Sequence, residues 1–221
     1  MELNVSKEEF VWRFIKSHNV PILKRTYEFS QYWHRNHFRQ DGIPYFGHPN
    51  ELCYVLILNH IENELILSKA IGHDVPEELR DQEGIIITPG EMIKEIRNEN
   101  VVSGIFTLTK PYKKMNAQQI LEYFEPIARD VELVVVKHGD RFINMRRSMF
   151  GNFDKERLIK YDVETVNQVL PMSAGIINSG AHPEYEYILR MLRSGIKGLL
   201  EGVRAQVKIM EMNEQRVQKI N

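Results

Sequence analysis

His73 and Asp74 are adjacent. An imidazole beside a carboxylate offers one borderline nitrogen and one hard oxygen to a single divalent ion, a mix that suits Mn, Fe, Co or Zn better than Ca or Mg. His-Asp dipeptides are common by chance, so the neighbours must give this one weight. His48 lies upstream in Tyr45-Phe46-Gly47-His48-Pro49, and Asp140 lies downstream in Lys137-His138-Gly139-Asp140-Arg141. Two neutral imidazoles and two carboxylates offset the charge of a divalent ion and leave coordination positions open for water and substrate, as a catalytic site requires. Such an ion lowers the pKa of bound water and polarises a phosphoryl oxygen, and phosphoryl transfer needs little beyond positioning and charge neutralisation. Glu77 and Glu78 follow Asp74 by three and four residues, within reach to orient or deprotonate an attacking water. Lys137, Arg141, Arg146 and Arg147 add positive charge around Asp140, and Asn144 can hydrogen-bond a base or ribose.

Each residue also has a plainer reading. Glu77 and Glu78 suit a solvated helix start, and Asp140 can pair with Lys137 or Arg141 as an ordinary surface ion pair. His34, His37, His60, His138 and His182 supply further histidines for coincidental patterns.

The elements that must position these groups read as helices. Ser6 caps a first helix over 6–18, and a second runs from beyond Pro21 to about Phe38. After the polar loop Arg39–Tyr45, Pro49 suits a first helical turn, placing His48 at the N-cap or just before it. A helix over 62–71 closed by Gly72 would release His73 and Asp74 at its C-terminus, and Pro76 opens a new helix. Residues 85–90 are the one strand-like run, and Thr88-Pro89 starts another helix. Residues 101–108, 116–129 and 130–147 read as helices, with Lys137, Asp140, Asn144 and Arg147 on one face of the last. A loop at Gly151-Asn152 precedes a helix from Asp154 that Pro171 interrupts, and a long polar helix follows Pro183, weakened at Gly195, Gly198 and Gly202. The expected architecture is an all-α bundle of about nine or ten helices, with residues 1–180 forming the main domain and 181–221 a helical extension.

Composition excludes several classes. Of 221 residues, 43% are hydrophobic and 27% charged, and the net charge of −1 gives no basic excess for nonspecific nucleic-acid binding. The single cysteine, Cys53, rules out an internal disulfide. No apolar run approaches the roughly 18 residues of a membrane span, and no signal segment opens the chain. The expectation is a soluble, cytoplasmic protein with no nucleic-acid or membrane partner, and with the C-terminal helix available for homo-oligomer contact.

Read with its flanks, the region resembles the hydrolase domain of the Rel/Spo alarmone family, a branch of the HD-domain metal phosphohydrolases. The similarity lies in four ordered blocks: Arg39 to Pro49; His73-Asp74-Val75-Pro76-Glu77-Glu78; Leu108-Thr109-Lys110; and Asp140-Arg141 with Asn144-Met145-Arg146. Glu164-Thr165 and Leu170-Pro171 resemble later landmarks. The resemblance implies a Mn-dependent enzyme on an HD-type helical bundle that removes pyrophosphate from the 3′ position of guanosine tetra- or pentaphosphate. It places the metal ligands at His48, His73, Asp74 and Asp140, the water-activating pair at Glu77 and Glu78, and nucleotide contacts at Arg39 and Asn144, with Lys137 and Arg141 nearby. The synthetase and regulatory domains of long family members have no counterpart here, as in small stand-alone alarmone hydrolases. Departures are Gln40-Asp41 where the family has Lys-Ser, Glu78 in place of Asp, and His138 at an apolar position. Gln40 and Asp41 motivate a rival substrate, an adenosine alarmone or a 3′-phosphorylated dinucleotide. A non-catalytic alarmone-binding protein is the reading from a different class.

Overall fold

The computed structural model describes residues 5–39, 42–151 and 153–220, so Gln40, Asp41 and Asn152 lie outside the described residues. Among those described the protein is all-α, with one isolated bridge between Phe38 and Pro44. The chain divides into two compact units, Met1–Val136 and Lys137–Asn221.

The first unit contains α1 (Lys7–Ser17), α2 (Pro21–His34), α3 (Gly47–Leu58), α4 (Glu64–Gly72), α5 (Val75–Glu78), α6 (Pro89–Ile96), α7 (Glu99–Leu108), α8 (Ala117–Ala128) and the opening turns of α9 (Val131–Ser148). Side-chain caps set most starts. Ser6, Asn63, Asn98 and Asn116 each accept from a first-turn backbone N–H, and Thr88 with Glu91 closes a capping box. Each such cap satisfies a donor that the helix leaves unpaired. The centre of the unit is α4, buried from Ile66 to Gly72 and packed by α2, α3 and α7. Burial there includes Lys69, 1% exposed, whose ammonium lies 2.5 Å from a Glu132 oxygen. Beside it, Val75, Leu79, Met92, Ile96, Val101 and Ile105 form a continuous apolar cluster that seats α5 against α6 and α7.

The second unit holds the rest of α9 with α10 (Lys155–Glu164), α11 (Leu170–Ser179) and α12 (Pro183–Ile220). Its core joins Met145, Leu158 and Leu170 to Ile196, Leu200 and Val203 of α12.

Several local expectations change. α2 stops at His34 instead of reaching Phe38, because Phe38 pairs with Pro44 and His37 turns inward. That tertiary contact overrides a helical pattern. The run 85–88 forms neither strand nor helix; of its isoleucines Ile87 alone is buried in the core, while Ile86 is 78% exposed. Pro171 does not break its helix. A π-helical turn, Thr165–Val169, joins α10 to α11 just before it, widening the backbone where a proline ring would crowd the preceding carbonyl. Gly195 and Gly202 leave α12 unbroken; a Cβ on them would collide with Phe142 of α9 and with Met149 just beyond it, so both serve close approach there.

Candidate metal centre

His48 is the second residue of α3, at least two positions further into the helix than the N-cap place expected from the sequence. The preceding loop sets its place: Arg39 N–H donates to the Ile43 carbonyl at 2.9 Å, and Tyr45 N–H donates to the His37 carbonyl at 2.9 Å. These bonds carry the chain from the end of α2 straight into α3.

His73 and Asp74 form the link between α4 and α5. Gly72 does not end α4 through a left-handed cap, because His73 that follows is right-handed helical. Its role is close approach. A Cβ there would stand 2.6 Å from Ile105 Cδ1 and 3.1 Å from Thr26 Cγ2, so only glycine lets this end of α4 lie between α2 and α7. The His-Asp link is thereby pinned from both sides.

The structure brings three of the expected ligands together. Donor atoms of His48, His73 and Asp74 all lie within 4.8 Å of one another. Asp74 Oδ1 is 3.0 Å from His73 Nε2, and Oδ2 is 3.5 Å from His48 Nε2. Both rings are buried, with the carboxylate partly open. His73 Nδ1 donates to the Ala70 carbonyl at 2.8 Å, which fixes the tautomer and leaves a lone pair on Nε2. That lone pair faces the lone pairs of Asp74 Oδ1. Two acceptors held this close repel unless a proton or cation lies between them, so the residues fit a divalent ion.

Around this centre stand two more carboxylates. Glu78 has its carboxyl pushed above the ordinary range by burial and by the charge of Asp74, and it accepts from the Gln82 side-chain amide. Glu77 Oε2 accepts the Lys110 backbone N–H at 3.1 Å. Tyr45 donates from its hydroxyl to Asp74 Oδ2 at 2.9 Å, and the Arg39 guanidinium lies over its ring, 5.4 Å from the centroid.

Asp140, Lys137, Asn144 and Arg141 all lie on the part of α9 in the second unit. The shared face read from their spacing is present: Lys137 Nζ lies 3.4 Å from Asp140 Oδ2, and Asn144 donates to Oδ1 of the same carboxylate. Arg141 is buried, paired with Glu164 at the end of α10 and lying over Tyr161.

Sequence reasoning passed over Tyr45, His34, His37 and Glu83 as functional groups. The available signal was the i, i+3 pair His34 and His37 just before the Tyr45 loop. Its meaning depends on Glu83, 46 residues away from His37.

No protein-family model matches the chain. It is 26% identical over 168 residues to a Brucella melitensis protein named GTP pyrophosphokinase rsh, covering 75% of this chain and 22% of the relative. It is 26% identical over 197 residues to a Haemophilus influenzae protein named guanosine-3′,5′-bis(diphosphate) 3′-pyrophosphohydrolase, covering 80% of this chain and 28% of that one. The chain thus spans about a quarter of the length of these relatives. A solved structure described as a metazoan ortholog of SpoT that hydrolyzes ppGpp aligns with TM-score 0.56 at 17% identity, over 84% of this chain and 94% of that one.

The fold is the all-helical fold of that solved structure, and among the described residues His48, His73 and Asp74 form a cluster able to hold a divalent cation. The likeness to Rel/Spo-type proteins expected from the motifs is present in the sequence comparisons, and the solved structure shares the fold. Among the described residues, no helix is long and apolar enough to cross a membrane.

Proposed function

We propose that this chain is a metal-dependent phosphohydrolase that removes the 3′-pyrophosphate from guanosine alarmones. The observation that carries this reading is the convergence of His48, His73 and Asp74, the residues on which the resemblance places metal ligands. Nitrogen and oxygen donors in this mixture suit a transition dication over Ca or Mg, and the resemblance points to Mn among them. Asp140 is the fourth ligand by motif order alone. When bound, the cation supplies Lewis acidity and offsets phosphate charge.

The chain's own groups divide the remaining work. Glu78 has the more favourable surroundings for a base, since a carboxyl raised toward neutrality accepts a proton more readily from an attacking water. Glu77, held by Lys110, keeps the His-Asp link fixed to the end of α7. Tyr45 orients Asp74. Arg39, Lys137 and Asn144 are assigned to the nucleotide. Arg141, answered by Glu164, is assigned to holding α9 on α10. Water adds to the phosphorus on the 3′ oxygen, the bond to that oxygen breaks, and the oxygen leaves with a proton. A buried reduced thiol at Cys53 suits the cytoplasm, where such nucleotides reside.

The test is pyrophosphate release from guanosine tetraphosphate with Mn and then with chelator. Metal-dependent release of pyrophosphate with the 5′-diphosphate as co-product supports the reading. Turnover confined to adenine nucleotides, or binding with no turnover, overturns it.

A further inference from the structure

Beside the metal centre lies a chain of groups that no step above uses. His34 and His37, 1% and 2% exposed, bring their Nδ1 atoms to 3.2 Å. At that distance one nitrogen must carry the hydrogen and the other the lone pair. His37 Nε2 lies 2.6 Å from Glu83 Oε1. An ionised carboxylate only accepts, so the hydrogen of this contact belongs to His37 Nε2. A neutral His37 then has a lone pair on Nδ1, and His34 must donate to it from its own Nδ1. One surface carboxylate therefore sets the proton positions of two buried rings in sequence.

The end of this chain touches the site. The His34 ring stacks on Tyr45 at 4.9 Å between centroids and 25° between planes. The Tyr45 backbone N–H is tied to the His37 carbonyl. The Tyr45 hydroxyl reaches Asp74 Oδ2. Burial holds the His34 imidazole neutral, near pKa 3, so it adds no positive charge beside a cation.

We propose that Glu83 is a remote positioning residue for the metal centre: through His37 and His34 it fixes the ring of Tyr45, and with it the hydrogen bond that turns Asp74 toward His73. The proposal rests on the reading of His48, His73 and Asp74 as metal ligands. Its element is the π-helical turn Leu79–Glu83 that continues α5, which places Glu83 opposite the end of α2.

The test uses the full chain and Mn alone, so that it does not depend on the nucleotide. Glu83→Lys replaces an acceptor with a donor and should weaken Mn binding about tenfold, the usual loss when a group behind a metal ligand is removed. Glu83→Gln, which can still accept, should lose less. In a Tyr45→Phe background Glu83→Lys should add nothing, because the route through the hydroxyl is already cut. Two-bond nitrogen–proton spectra of the imidazoles at pH 8 should show hydrogen on His34 Nδ1 and on His37 Nε2. Unchanged Mn affinity in Glu83→Lys, additive losses in the double variant, or a His34 hydrogen on Nε2 would each overturn the proposal. Failure of the wild-type chain to bind Mn would overturn the metal reading, and the proton positions would still be decided by the spectra.

Discussion

The Glu77 carboxylate accepts the backbone N–H of Lys110 at 3.1 Å, so the two adjacent acids after the His-Asp pair have different surroundings. Glu77 ties α5 to the residue beyond α7. Glu78 sits with Asp74 and Tyr45, where burial and like charge raise its carboxyl. Adjacent helical residues point about a hundred degrees apart, so neighbouring carboxylates can meet different partners.

That difference gives opposed expectations for two conservative substitutions. Glu78→Gln should retain Mn and lose turnover by roughly 10²–10⁴-fold, as for removal of a positioned base. Glu77→Gln keeps a carbonyl oxygen for Lys110 and should retain most of its turnover. Rates for both variants at saturating Mn decide it; a larger loss in Glu77→Gln would reverse the assignment.

Metal should stabilise the fold measurably. At Mn a hundredfold above its dissociation constant, binding contributes about 2.7 kcal/mol, a rise of about 5–10 °C in melting temperature for a chain of this size. Chelator should remove that rise, and Asp74→Ala should abolish it. Asp140→Ala should lose Mn as well, and retention of full affinity there would exclude Asp140 from the ligand set.

Gly72→Ala should reach the site through packing. The added methyl would meet Ile105 Cδ1 at 2.6 Å, and the shift needed to admit it should cost about 1–3 kcal/mol. Because His73 follows directly, Mn affinity should fall along with stability. A stable variant with unchanged affinity would mean that Ile105 relaxes without moving the link.

The pair of buried Lys69 with half-buried Glu132 should be far more sensitive to loss of the glutamate than a surface pair. Glu132→Ala leaves the Lys69 ammonium, 1% exposed, without its 2.5 Å partner and should destabilise by about 3–5 kcal/mol. Denaturant melts of Glu132→Ala and Lys69→Met would separate a stranded charge from simple loss of a contact, since the methionine variant should be the milder.

Cys53 should be inert in the folded protein. Its thiol is fully buried, burial pushes it well above the ordinary value, and its Sγ contacts the Leu67 carbonyl at 3.7 Å. Thiol reagents should label it at the rate of unfolding, and at one equivalent in denaturant. Fast labelling under native conditions would show that α3 opens locally.

The sequence by itself determined most of the helices and the caps at Ser6, Thr88 and Asp154, because a cap requires only a side-chain oxygen a few residues from the helix start. It also determined the order of His48, His73, Asp74 and Asp140, and the shared face of Lys137, Asp140 and Asn144, because helical periodicity is local. Tertiary structure alone decided that Gly72 serves close packing, that α2 ends at His34, and that Glu77 faces Lys110 while Glu78 faces Asp74. It also joined Glu83 to His37, His34 and Tyr45. These arrangements depend on atoms distant in the chain and on directions of side chains around a helix, and spacing encodes neither the partner nor the proton that lies between two nitrogens.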